Sequence, residues 1–396
     1  MKACGLVVEY NPFHNGHVYH LKEAKKMSES DCLIAVMSGS FLQRGEPALV
    51  DKFSRTKAAL ESGVDIVLEL PYAYSVQSSE LFSHGAIKAL NALKISSLCF
   101  GSESGIIDDF LNTYHNFNEN KHEFNNILKK ELTKGLSYPD AHNLAYDKIG
   151  FNLNVLQPNN ILGFSYVKEI LNNQYNIDLY TLKRIDNNYH DTKINSNISS
   201  ATSIRREILE NGITEKVTSA LPLSMNNELN SFYLKTNTFI DWESYFSLLQ
   251  YKVLSTSRTT LSKIALVDEG IHNRIKDSAQ HAKSFHHWMT LIKTKRYTWV
   301  KIQRIFTHIL TSTTQSELNH FHHNNNNVRL LGMSKVGQAY LNKIKSDTDI
   351  NIITSLKSYG KDSLEAKVSN IYYSAILPKY RMNILKQEYA PPIILK

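Results

Sequence analysis

The feature that most constrains this 396-residue chain is an alternation confined to its first half. Four short apolar runs, Ala3–Glu9, Asp31–Met37, Asp65–Leu70 and Ser97–Gly101, are each bounded by turn residues. Continuous apolar runs of that length suit strands covered on both faces of a parallel sheet. Between them, His17–Met27, Lys52–Glu61 and Ser79–Ala92 carry helical spacing, and Ile177–Lys183 reads as a later strand. The order β-α-β-α-β-α-β predicts an α/β fold with a Rossmann-like, doubly wound parallel sheet.

The second half reads differently. Trp242–Leu254, Phe285–Thr294, Thr298–Leu310 and Val336–Ile344 all have helical periodicity, which predicts a mostly α-helical C-terminal domain. The Asn/His run from His320 to Asn327 reads as a polar loop. We place the division after Arg205, giving domains 1–205 and 206–396, as the length leads one to expect.

Charge follows that division. Residues 1–205 hold 20 Lys/Arg and 22 Asp/Glu, a net of −2, whereas residues 206–396 hold 25 and 15, a net of +10. The total of +8 therefore belongs to the helical half. A one-sided basic surplus favours a polyanionic partner, nucleic acid or an anionic surface. Coding bias toward Lys, Asn and Ile is the plain alternative. With 42% hydrophobic and 21% charged residues, a disordered chain and a small disulfide scaffold are excluded. Cys4, Cys32 and Cys99 sit in apolar runs without metal-ligand spacing, which fits buried thiols in a reducing cytoplasm. No apolar run approaches the ~20 residues of a membrane span, so no membrane association is expected.

Chemistry concentrates in the first strand-to-helix turn, Glu9-Tyr10-Asn11-Pro12-Phe13-His14-Asn15-Gly16-His17. It leaves the carboxyl end of the first strand, the edge of an α/β sheet where ligands bind. His14 and His17 are three residues apart, so both can face one site at the helix start. Free N–H groups and the positive dipole end favour phosphate there, and two imidazoles can stabilise charge developing on it. Histidine pairs also occur on ordinary helix surfaces. Directly after a buried first strand, however, His-Asn-Gly-His resembles the HxGH signature of nucleotidyltransferases related to class I aminoacyl-tRNA synthetases. Ile198–Arg205 is similar to the ISSTxxR signature of that superfamily, with Ala201 inserted before Thr202. Thr202 at a helix start and Arg205 one turn on make a phosphate clamp; a plain N-cap is the alternative. Met333-Ser334-Lys335 is similar to a synthetase KMSKS loop, but Gly332 replaces the first Lys, and Ser334 is read as an N-cap.

A closer resemblance covers the first 205 residues in order. Gly5–Leu21, Met37–Ala48, Lys52–Arg55, Glu69–Pro71, Phe100–Glu103, Pro158–Gly163, Lys183-Arg184 and Ser200–Arg205 resemble the bacterial tRNA(Met) cytidine acetate ligases. The helical half resembles them more weakly, chiefly around Leu291–Arg304. The resemblance implies an enzyme that uses ATP and acetate to acetylate N4 of the wobble cytidine in the anticodon loop of elongator tRNA(Met), through acetyl-adenylate. It implies ATP held by Val7, Val8, Glu9, Tyr10, Asn11, Pro12, Phe13, His14, Asn15, Gly16, His17, Val18, Tyr19 and His20, and by Gly101, Asn159 and Arg184. Mg²⁺ is expected with ATP, although no acidic cluster announces a metal site.

The residues read on their own agree. Gly101 ends a strand where a missing side chain leaves room for a base; Asn159 follows Pro158 and reads equally as an N-cap. Arg184 beside Lys183 suits a triphosphate. Gln43, Arg44 and Glu46 follow the second strand, where Arg44 is suited to acetate or phosphate; an Arg44–Glu46 surface pair is the alternative. Lys293, Lys295, Arg296, Lys301 and Arg304 lie among Trp288, Tyr297 and Trp299, a pattern for RNA phosphates and stacked bases, or for an amphipathic helix with a wet face. The rival functions are adenylylation of a small phosphorylated metabolite and non-catalytic tRNA binding. Oligomeric state has no sequence signal.

Overall fold

The computed structural model describes residues 1–150, 157–184 and 199–395. Ile198, the first residue of the ISSTxxR-like segment, lies outside the described residues. The expected strands form as β1 (Ala3–Val8), β2 (Cys32–Ser38), β3 (Ile66–Leu70), β4 (Ser97–Ser102) and β5 (Asp178–Lys183). They lie parallel in the order 3-2-1-4-5. Chain order reverses between β1 and β4, the crevice where doubly wound sheets bind ligands.

Both faces of this sheet are buried, and side chains alternate between them. In β2, Leu33, Ala35 and Met37 join one apolar cluster while Cys32, Ile34 and Val36 join the other. That period of two explains why the strand reads as a continuous apolar run rather than as an alternation. Cys4, Cys32 and Cys99 are buried and free, as expected.

The second half is mostly helical, as expected, but it also completes the sheet. β6 (Asn327–Met333) runs antiparallel to β3, and β7 (Asn351–Ile353) and β8 (Ile393–Ile394) pair with β6. The polar run His320–Asn327 is therefore no loop. His320 to Asn324 close the helix Gln315–Asn324, and Asn327 opens β6. A Thr314–Glu317 capping box starts that helix, a local signal that outweighs the poor helix propensity of its Asn and His residues. Ser334 does N-cap the helix Lys335–Ile344, accepting from Gly337 N–H at 3.1 Å.

The two halves share one core. Trp288, Ile302, Phe306 and Tyr372 belong to the same apolar cluster as Leu6 and Met37. A sealed ionic network adds to it. Lys52 Nζ lies 2.7 Å from Glu69 and 3.1 Å from Glu388, and Arg329 lies 2.5 Å from Glu388 and 3.5 Å from Glu69. Lys52 and Glu69 come from the first half, Arg329 and Glu388 from the second. Among the described residues, no helix is long and apolar enough to cross a membrane.

Candidate active site

β1 ends at Val8, and the chain turns through Tyr10, at φ 51, and a cis Asn11–Pro12 bond into the helix α1 (Asn15–Ser28). His14 is its N-cap. The His14 Nδ1 accepts from Gly16 N–H at 3.1 Å, and the His17 Nδ1 accepts from His14 N–H at 3.1 Å. A ring nitrogen that accepts a hydrogen bond carries no proton, so each neutral imidazole keeps its proton on Nε2. The rings stack at 3.7 Å, and Tyr10 and Phe13 pack on His17 at 4.9 and 5.6 Å.

Burial keeps both rings neutral. It pulls His14 down to about 3, with Arg184 and Arg205 adding to the effect. His17 is held well below its ordinary value by burial and then by His14, and His20 falls to about 4 through burial and Arg184. The turn thus offers two fixed N–H donors rather than two cations. That suits stabilisation of charge that develops on a phosphate during displacement.

Around the turn, side chains from distant segments hold the backbone. Arg55, on the helix α2 (Lys52–Glu61), is fully buried and donates to Glu9 O at 2.7 Å, Ser38 O at 2.9 Å and Gly39 O. It ties the ends of β1 and β2 together. Arg205 Nη1 donates to Asn11 O at 2.9 Å, and its Nη2 to Glu46 Oε2 at 2.9 Å. The Arg of the ISSTxxR-like segment therefore reaches the histidine turn, and Glu46 pairs with Arg205 rather than with Arg44. Ser200, not Thr202, caps the helix Ala201–Asn211, and Thr202 is exposed at its start.

On the β4 side, Gly101 and Ser102 end the strand across the switch point. Glu103 fills the N-terminus of the helix Pro158–Asn172: its Oε1 accepts from Asn159 N–H at 3.2 Å and Nδ2 at 2.7 Å, and its Oε2 from Asn160 N–H at 2.8 Å. Asn159 is thus no N-cap, because Gln157 holds that position. Its Oδ1 instead accepts from Arg184 Nη1 at 3.4 Å. Asn159, Arg184 and Gly101 form one cluster, with the Gly101 Cα hydrogen side facing the Arg184 stem.

The five cations of the helical half divide. Lys293, Lys295 and Arg296 are exposed. Arg296 pairs with Glu269, and Lys301 lies 2.9 Å from Asp268. Arg304 stands apart: its Nε donates to Gln43 O at 2.7 Å, against the loop after β2. Trp288 is fully buried and Tyr297 nearly so, which corrects the stacking alternative for both; the amphipathic-helix reading holds for Trp288, on the helix Phe285–Ile292, whereas Tyr297 lies in the bend before Trp299. Among the described residues no cluster of His, Cys, Asp or Glu could hold a metal ion. Sequence reasoning gave no role to Arg55 or Glu103. An arginine amid the small and apolar residues of α2 was the available signal for the first; the second had none.

A parallel 3-2-1-4-5 sheet with two Nε2–H imidazoles at the N-terminus of its first helix defines a nucleotidyltransferase of the HxGH type. The family described as HIGH Nucleotidyl Transferase matches residues 1–388. A protein of Oceanobacillus iheyensis named tRNA(Met) cytidine acetate ligase is 48% identical over all of both chains. The Bacillus subtilis protein of the same name is 43% identical over 98% of this chain and 96% of its own. Crystal structures of Thermotoga maritima TmcAL, one apo and one bound with alpha-thio ATP, superpose with TM-scores of 0.92 and 0.90 at 31% and 30% identity, covering all of both chains. The chain belongs to the tRNA(Met) cytidine acetate ligase family of HIGH nucleotidyl transferases.

Proposed function

We propose that this chain joins acetate to N4 of the wobble cytidine of elongator tRNA(Met) at the expense of ATP. An acetate oxygen attacks the α-phosphorus of ATP, forming acetyl-adenylate and expelling pyrophosphate. The cytosine N4 then attacks the acetyl carbonyl carbon, its proton is lost, and AMP departs. The observation that carries this reading is the His14/His17 pair, whose Nδ1 atoms are both occupied by backbone N–H groups. Their Nε2–H donors stabilise the α-phosphate as its charge builds.

ATP occupies the switch point, against residues 7–20 on one side and Gly101, Asn159, Arg184, Thr202 and Arg205 on the other. Mg²⁺ enters as MgATP, not as a resident metal. Residues 1–205 carry adenylation, and residues 206–396 carry the tRNA through exposed cations such as Lys293 and Lys295. A wobble base lies in a single-stranded loop and can be splayed into a site. The relatives' shared name and the ATP analogue held by the Thermotoga maritima protein support this assignment. We place the enzyme in the cytoplasm, where its tRNA substrate is.

The test mixes purified protein, ATP, labelled acetate and tRNA transcripts. Acetate-dependent pyrophosphate release with label in elongator tRNA(Met) is expected. Pyrophosphate release with a phosphopantetheine-like acceptor, and none with acetate, overturns the reading.

A further inference from the structure

Arg304 lies in the most basic stretch of the sequence, yet it is built unlike the cations around it. It stands on the helix Trp299–Leu310, which grips the loop after β2 at three places. Arg304 Nε donates to Gln43 O at 2.7 Å, Gln303 Nε2 to Arg44 O at 3.3 Å, and Thr307 Oγ1 to Gly45 O at 2.6 Å. Gly45 has φ 84, and a Cβ there would lie 2.5 Å from Arg304 N, so only glycine permits this approach.

Gln43 also faces the other way. Its N–H donates to Glu9 Oε1 at 2.8 Å, so a single residue separates the end of β1 from the Arg304 guanidinium. Arg304 Nη1 and Nη2 make no hydrogen bond among the described residues, and neither is sealed from solvent. Burial pulls this guanidinium down to about 10, the charge of nearby Arg44 adds to that, and Glu9 opposes it. Arg44 and Glu9 lie near this guanidinium, and Arg205 pairs with Glu46 of the same loop.

A guanidinium fixed along one edge and open along the other matches a carboxylate, which takes two parallel N–H bonds in one plane. The location adjoins the strand end that leads into His14 and His17. We propose that Arg304, with Arg44 beside it, seats the carboxylate of acetate for attack on ATP. This rests on the ligase reading and removes Arg304 from the tRNA surface. An RNA phosphate is the competing occupant, disfavoured because the fork is half-buried behind the loop whereas Lys293, Lys295 and Arg296 are exposed.

Acetate-dependent ATP–pyrophosphate exchange without tRNA tests the seat. Exchange by the unaltered enzyme tests the ligase reading itself, and its absence sinks both. Given exchange, Arg304→Gln and Arg304→Lys are each expected to raise the acetate concentration for half-maximal rate at least about tenfold. Affinity for ATP should stay within about twofold, which also shows that the site is folded. Arg304→Lys keeps the charge while removing the planar fork and the Nε donor to Gln43 O, so it serves if Arg304→Gln fails to fold. An unchanged acetate requirement with a weakened, less salt-dependent tRNA affinity assigns Arg304 to RNA and overturns the seat. A fall in maximal rate with the acetate requirement unchanged also overturns it, leaving Arg304 as a loop anchor.

Discussion

The first strand-to-helix turn and the segment Lys293–Arg304 both looked like anion sites in the sequence, and the structure builds them in opposite ways. In the turn the ionisable groups are buried and neutral, and each Nδ1 is committed to a backbone N–H. In the basic segment most cations stay in water, and two of them already have acidic partners. The difference teaches that a count of charges is weak evidence for a binding surface, because neighbours in space cancel what composition reports. A motif whose backbone donors meet its own side chains is stronger evidence, since local geometry alone fixes it.

The largest effect is expected where a charge is sealed in the core. Lys52→Met leaves Glu69 and Glu388 facing each other in the core, with Arg329 alone among the described residues paired to both. Breaking a buried pair from one side costs about 3–5 kcal/mol. Urea unfolding should show that loss, whereas Arg296→Met, which breaks an exposed pair, should cost under about 1 kcal/mol. Equal losses would erase the contrast between sealed and exposed charges.

His17→Ala comes next. Removing one preorganised donor of developing charge lowers turnover roughly 10²–10³-fold. Pyrophosphate release should fall by that amount while tRNA affinity, read by filter binding, is unchanged. Loss of tRNA affinity as well would mean that the turn and the basic half are not separable.

These two outcomes also mark what could be seen in advance. The strands of the first half were legible to within one or two residues, because burial on both faces writes itself as an apolar run. His14 and His17 were legible because their partners are their own backbone neighbours. Arg304 reads in the sequence as one more cation of the basic stretch, since nothing near it in sequence announces the Gln43 carbonyl it holds. β6 was missed for a related reason. Its pairing partner β3 is far away in the chain, and the Asn/His run before it imitates a loop. The Lys52–Glu388 contact likewise joins residues that only the completed sheet brings together. Information carried by local spacing survived; information carried by long-range pairing did not.

The effect of pH is smaller and has a definite sign. His14 and His308 are both buried and both pulled to about 3, His308 by burial first. In the unfolded chain each titrates near 6.5. Between these values the unfolded state binds protons that the native state refuses, so the contribution of these two histidines to stability falls as pH drops from about 6.5 toward 3 and is constant above 6.5. Each such group contributes a slope of up to about 1.4 kcal/mol per pH unit in that window. Stability curves at pH 7.5, 6 and 5 check it, and His308→Gln should flatten the slope. Activity should show no ionisation between pH 6 and 7 that His14→Asn removes, because the native ring is already neutral.

The smallest effect tests the exposed side. Each lysine that neutralises a tRNA phosphate changes the slope of log affinity against log salt by roughly 0.7–0.9. Lys293 and Lys295 make no ion pair among the described residues, so removing both should flatten the slope by up to about 1.8. Arg296 and Lys301 must first leave Glu269 and Asp268. Replacing them frees an acidic group as well as removing a cation, so affinity falls with the added repulsion while the slope changes less per residue removed. If Arg296 and Lys301 instead change the slope as much as the two lysines, the pairing seen in the free protein gives way to RNA. The basic segment would then owe its function to its full complement of charge, as its composition first suggested.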